Sequence, residues 1–216
     1  MVSIFSAGIT VIVLIFSAIF HEVAHGYVAD RLGDPTARLL GRLTLNPVRH
    51  IDPVMSIFLP VLLIFSGSPV IFGAAKPVPI DPFNLKDGRK DIAMVSLAGP
   101  LTNILIAVVF GIICRILFPG LSLEMIMSSS LIGYILGTIV FINLLLAIFN
   151  LIPIPPLDGS KVFAFLLPEG FAASYLALGS IGFFIVFFLL VFPIGGFSLG
   201  QLIFSLLTIA QGLMGL

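Results

Sequence analysis

The sequence places His21, Glu22 and His25 together in "HEVAH", directly after "IFSAGITVIVLIFSAIF", a stretch over residues 4–20 that carries no charge. On a helix, residues four apart project from one face a turn apart, so two imidazoles can share one metal ion. Glu22 lies to the side of that face, where it reaches a water beside the metal rather than the metal itself. A helix carrying His-Glu-x-x-His is a zinc-hydrolase arrangement with two ligands and a general base. The bare pattern also arises by chance on soluble helices. Here it ends an apolar helix, where ionisable groups are costly and mark function. Three of them at ligand spacing have no packing explanation.

A catalytic zinc takes three protein ligands and keeps the fourth position for water. The spare histidine, His50, sits in a basic loop, and most acidic residues lie among loop charges, where a solvated surface is the expectation. Asp158 differs. It lies in "FNLIPIPPLDGSKVF" (residues 149–163), just after the apolar run 127–151. Pro153, Pro155 and Pro156 exclude a regular helix there. Irregular backbone and a carboxylate at membrane depth need protein or a wet cavity around them. Gly159 is expected to allow a tight turn that aims Asp158 inward. The competing reading is an aspartate that caps a helix over 160–167. Asp52 and His50 are the next candidates for third ligand.

Asn143 and Asn150 are seven apart and share a helix face. Inside a membrane such amides bridge helices. Asn150, close to Asp158, could instead donate to a carbonyl oxygen of bound substrate. Asn103, in "SLAGPLTN" (residues 96–103), reads first as interhelical glue beside Ala98 and Gly99.

The elements that must position these residues are membrane helices. The chain has 216 residues, 59% hydrophobic and only 9% charged, against about 25% charged in soluble domains. Its net charge of zero gives no case for nucleic-acid binding. Cys114, the single cysteine, lies in an apolar run; it excludes an intrachain disulfide and reads as a small buried side chain. The first apolar run has no basic leader and no small-residue cleavage site, so it reads as a retained helix rather than a signal peptide.

The fold class expected is an all-α polytopic membrane protein of about five transmembrane helices, each of roughly 20 apolar residues. They fall at 3–29, 92–118, 127–151, 172–192 and 196–215. Residues 53–72 are apolar but hold Pro53, Pro60 and Pro69. Eight of the ten Lys and Arg residues lie in loops 30–52 and 75–91, and basic loops stay cytoplasmic. The stretch 53–72 is therefore expected to be a re-entrant or interfacial hairpin, with the N-terminus outside. The spans 92–118 and 127–151 then return Asp158 to the side of His25. Residues 37–47 and 71–80 are expected as short membrane-associated β-strands, a usable edge for an unwound substrate. Pro77 and Pro79 would spoil one side of the second strand.

"HEVAH", "LAGPLTN" and "NLIPIPPLDG", in that order on separate membrane segments, resemble the site-2 protease family of intramembrane zinc metalloproteases. The resemblance covers roughly residues 15–165. It implies one zinc held by His21, His25 and Asp158, Glu22 as general base, and Asn150 positioning substrate. It also implies peptide-bond hydrolysis in single-span transmembrane substrates, of the kind used in regulated intramembrane proteolysis, near the cytoplasmic side of the cell membrane. "GDPTARLLGRLTLNPVRHIDPV" and "FGAAKPVPIDP" resemble the compact prokaryotic branch, which has no PDZ or CBS domain. The chain is then a single membrane-embedded peptidase domain, with a catalytic core at about 3–165 and C-terminal helices over 172–216. The alternative is a metal-ion transporter or permease using the same His and Asp residues. It would want a polar path across the membrane, and the opposite leaflet carries mainly Glu124 and Arg115. A monomer and a homo-oligomer both stay open.

Overall fold

The computed structural model describes residues 4–53, 58, 62, 76–193, 195–196 and 198–216. Helix α1 (Ile4–Leu32) has 29 residues, about 43 Å at the α-helical rise. A short turn of helix, α2 (Thr36–Leu39), follows. Next come α3 (Arg89–Leu117), α4 (Leu123–Ser129) and α5 (Leu131–Asn150). The chain ends with α6 (Asp158–Leu166), α7 (Glu169–Leu176), α8 (Gly179–Val191) and α9 (Leu199–Leu213).

Helix α3 packs along both α1 and α5, and α1 meets α5 directly. Small residues make this close packing feasible. Ala98, Gly99, Ala107 and Gly111 are buried on α3, and Gly133, Gly137 and Ala147 on α5. Without a hydrophobic drive between helices in lipid, such small residues let backbones approach. The outward faces stay apolar: Val11, Ile12, Ile15 and Phe16 on α1, and Leu105, Ile112 and Ile116 on α3, are exposed. In water such belts would be a liability, and in a bilayer they are the lipid-facing surface. Cys114 is buried among the apolar core residues, as its setting in the sequence leads one to expect. Helix α9 adds Leu199, Ile203 and Leu207, buried at every fourth residue.

The last turns of α1 and the first turns of α3 lie at one end of the bundle. Ala29, Leu85 and Val95 form a buried cluster there, with Val28, Leu32 and Ile92 packed against it. Residues 33–88 thus leave and rejoin the bundle at the same end. The stretch 53–72 lies outside the described residues except at positions 53, 58 and 62.

Two features of the expected fold class are corrected. Among the described residues, α1, α3 and α5 are the helices long and apolar enough to cross a membrane, rather than about five. The stretch 172–192 falls within a pair, α7 and α8, bent by 69°. The break lies between two contacts with the proline loop. Tyr175 Oη donates to the Pro153 carbonyl at 2.6 Å, and Gly182 lies so close to the Pro155 carbonyl that a Cβ would collide with it. Counting that pair as one span gives four. The stretch 196–215 yields α9, whose 15 residues rise about 22 Å, short of the ~30 Å hydrocarbon core.

The short β-strands are absent among the described residues. Within 37–47, α2 ends in a turn through Gly41, whose φ of 62° is left-handed, and a 3-10 turn over Pro47–His50 follows. Of 71–80, residues 76–80 are described and are irregular. Their polar backbone groups, with those of Asp81, are taken by side chains rather than by a ladder. Arg42 donates to the carbonyls of Lys76 and Pro77 at 2.9 and 3.3 Å. The N–H of Val78 goes to Glu22 and that of Asp81 to Asp34. Among the described residues, one backbone bond, Lys76 N–H to His50 C=O at 2.8 Å, links the 3-10 turn to residues 76–80.

Candidate active site

Two elements deliver three potential ligand atoms to one point. His21 and His25 project from the same face of α1, and their rings meet edge to face with centroids 4.6 Å apart. Asp158 is the first residue of α6, and its carboxylate reaches back to α1. The Nε2 atoms of His21 and His25 and the Oδ2 atom of Asp158 are separated pairwise by 3.1 Å, and all three residues are buried.

The protons on these groups are set by their other neighbours. His21 Nδ1 stands 2.6 Å from Asn103 Oδ1, and His25 Nδ1 stands 2.7 Å from the Val95 carbonyl. The amide nitrogen of Asn103 is committed to Asn143 Oδ1 at 2.7 Å and to the Ser17 carbonyl at 3.3 Å. Its oxygen therefore faces His21 as an acceptor. Both imidazoles then carry their proton on Nδ1 and turn the Nε2 lone pair inward. Three lone-pair atoms converge with no proton between them, an arrangement that a bound cation reconciles. Tetrahedral zinc with nitrogen and oxygen ligands at about 2.0–2.1 Å has ligand–ligand edges of about 3.3 Å. The 3.1 Å triangle fits that ion, and His21, His25 and Asp158 form a group that could hold it.

Backbone proximity makes the triangle possible. A Cβ on Gly99 would lie 2.5 Å from His25 Nε2 and 2.6 Å from His21 Cε1, so only glycine lets α3 come this close. Gly159 plays a different part from the one its sequence suggests. It sits within α6 and its φ is not left-handed. A Cβ there would strike the Leu151 carbonyl, so the glycine admits the end of α5 against the start of α6. The Asp158 carboxylate serves the cluster, and no side-chain cap is formed at the start of α6.

Beside the triangle, Glu22 Oε2 accepts from the Val78 N–H at 2.8 Å. Gly26, one turn on, leaves room for Val78 against α1. Asp34 ties down the far end of this segment. It takes the Asp81 N–H at 2.7 Å, Asn84 Nδ2 at 3.0 Å, and both the N–H and hydroxyl of Thr36. Burial works against its charge, and the donations from Thr36, Asn84 and Asp81 outweigh it, so the carboxyl is held below the usual range.

Residues 122–193 match peptidase family M50. The YwhC protein of Bacillus subtilis (strain 168), whose name gives it as a candidate zinc metalloprotease, is 38% identical over 190 residues, covering 88% of this chain and 83% of its own length. The chain belongs to peptidase family M50. Rip2 of Mycobacterium tuberculosis (strain H37Rv), named in the same terms, is 32% identical over 188 residues, 86% of this chain and 67% of its own. MJ0611 of Methanocaldococcus jannaschii is 41% identical over 96 residues, 43% of this chain and 45% of its own. No solved structure matches the chain significantly. The protein is a membrane zinc metalloprotease of the M50 family.

Within this M50 peptidase, His21, His25 and Asp158 come together and Glu22 stands beside them. Asn150 does not join the cluster. It is the last residue of α5, half-buried, and among the described residues its Nδ2 donates to the Leu146 carbonyl at 2.9 Å. His50 is also elsewhere: it is buried, with Nε2 donating to the Thr44 carbonyl at 2.8 Å. Asn143 does bridge helices, donating to Ser17 Oγ at 2.9 Å and accepting from Asn103. Asn103, read from the sequence first as interhelical glue and second as part of the site, bridges to Ser17 and Asn143 and also touches His21 itself. Its signal was available: an amide on a small-residue helix needs a partner at membrane depth, and a ring Nδ1 is one.

Proposed function

We propose that this protein hydrolyses peptide bonds of single-span transmembrane substrates near the cytoplasmic side of the cell membrane. Zinc is held by His21, His25 and Asp158. The observation that carries the reading is the 3.1 Å triangle of deprotonated ligand atoms with Glu22 next to it on the same helix. When bound, zinc acidifies water and polarises a peptide carbonyl.

The chain's own groups supply the rest. Glu22 takes a proton from the attacking water and hands it to the leaving amine. Val78 N–H holds one Glu22 oxygen at 2.8 Å, which steadies the carboxylate and leaves its other oxygen for the proton. Asn103 and the Val95 carbonyl fix both imidazole tautomers. Asn150, at the end of α5, has a second N–H with which to donate to a substrate carbonyl. The concentration of Lys and Arg in loops 30–52 and 75–91 supports placing this end of the bundle in the cytoplasm. The common end shared by α1 and α3 is consistent with that placement.

The test is direct. Purified protein in lipid vesicles, given a single-span transmembrane peptide, cleaves it, and a zinc chelator stops the cleavage. Glu22→Gln lowers the rate by roughly 10²–10⁴-fold. Metal flux across the vesicles without cleavage would overturn the reading in favour of a permease.

A further inference from the structure

The Asp158 carboxylate is divided between two neighbours. Its Oδ2 faces both histidine nitrogens at 3.1 Å, while its Oδ1 takes an ion pair from Lys161 Nζ at 3.2 Å. Lys161 stands one turn further along α6, so the pair is built within a single helix. Its side chain is 41% exposed and that of Asp158 only 11%. The lysine thus reaches from the surface into the edge of the buried cluster. With its lysine partly solvated, the pair's main consequence lies in how it orients the carboxylate.

We propose that Lys161 is a positioning residue of the zinc site, holding Oδ1 so that Asp158 presents Oδ2 alone to the metal. This rests on reading His21, His25 and Asp158 as the zinc ligands. A carboxylate can bind through one oxygen or through both. Binding through both, with water still bound, would raise the coordination number to five and crowd the position that a catalytic zinc keeps for water. A lysine ammonium offers three donors and no acceptor, so it can hold a carboxylate oxygen without itself competing as a ligand. Among the described residues, the other cation that bonds α6 does so away from Asp158. Arg89 is committed to the carbonyls of Phe165 and Leu167, at the opposite end of α6. Groups around a ligand commonly tune metal sites in this way, and losing one costs about 10–100-fold in affinity.

The experiment uses the full chain in detergent with cobalt(II) replacing zinc, because the visible spectrum of cobalt reports coordination number. Wild-type protein is expected to give the intense band of a four-coordinate ion. Lys161→Met, and Lys161→Gln with its polar side chain, should give the weaker band of higher coordination and bind zinc about 10–100-fold less tightly. Lys161→Arg should restore both. Circular dichroism confirms that each variant is helical. Wild-type spectra and affinity in Lys161→Met and Lys161→Gln would overturn the proposal, and so would an arginine variant that behaves like methionine. Asp158→Ala separates the two levels of the argument. If it leaves the cobalt spectrum unchanged, the ligand assignment itself is wrong. If it changes the spectrum while Lys161→Met does not, only the role of Lys161 falls.

Discussion

Asn103 Oδ1 stands 2.6 Å from His21 Nδ1, joining two residues 82 positions apart in the chain. The contact fixes which nitrogen of His21 is bare. Asn143 and Ser17 fix Asn103 in turn, so a four-residue polar network at membrane depth ends on the ring of His21. Buried networks of this kind are stable only when every member is satisfied.

Replacing Asn103 with Leu removes the acceptor for His21 and strands Asn143 Oδ1. Zinc affinity should fall by about 10–100-fold, measured by competition with a chelating dye. Unchanged affinity would mean that the network only packs helices.

Gly99 offers a prediction with opposed signs. Alanine is a better helix former than glycine by about 1 kcal/mol, so Gly99→Ala favours α3 as an isolated helix. Its Cβ, however, would sit 2.5 Å from His25 Nε2. The variant should remain helical by circular dichroism and lose bound zinc. Gly170→Ala is the control: nothing lies within 4 Å of its Cβ position, so zinc content should match wild type.

Much of this site is legible in the sequence, and the reasons are local. The spacing of His21 and His25 follows from helical periodicity alone. Asp158 stands out because three prolines separate it from the apolar helix before it. Asn103 and Gly99 are harder to assign, because their importance depends on which surface of α3 meets α1. The strands expected at 37–47 and 71–80 are not formed among the described residues. What decides is that Arg42, Glu22 and Asp34 supply the hydrogen bonds a neighbouring strand would have supplied. Asp34 itself looked like one more solvated loop charge, and it is fully buried. The bend between α7 and α8 falls at Gly179 and Ser180, beside Gly182, a glycine-serine signal within 172–192, and lies between two contacts with the proline loop.

Asp34 also sets a pH dependence. Its folded carboxyl ionises more readily than an unfolded aspartate. Its stabilisation is therefore present above the unfolded value of about 3.9 and is lost as pH falls through the lower folded value. Asp34→Asn should lower unfolding stability by about 1–3 kcal/mol near neutrality, since buried donors lose their charged acceptor. The gap between variant and wild type should narrow below about pH 4. Denaturant unfolding in detergent across that range checks it, and a gap that widens on acidification would contradict the assignment.

The central claim is that His21, His25 and Asp158 hold the zinc while Glu22 works beside it without holding it. Metal analysis of purified protein tests this most directly. Wild type and Glu22→Gln should each carry one zinc per chain, with cleavage lost only in the glutamine variant. His21→Ala, His25→Ala and Asp158→Ala should each lose tightly bound zinc. Full retention of zinc by Asp158→Ala, or its loss from Glu22→Gln, would contradict the account.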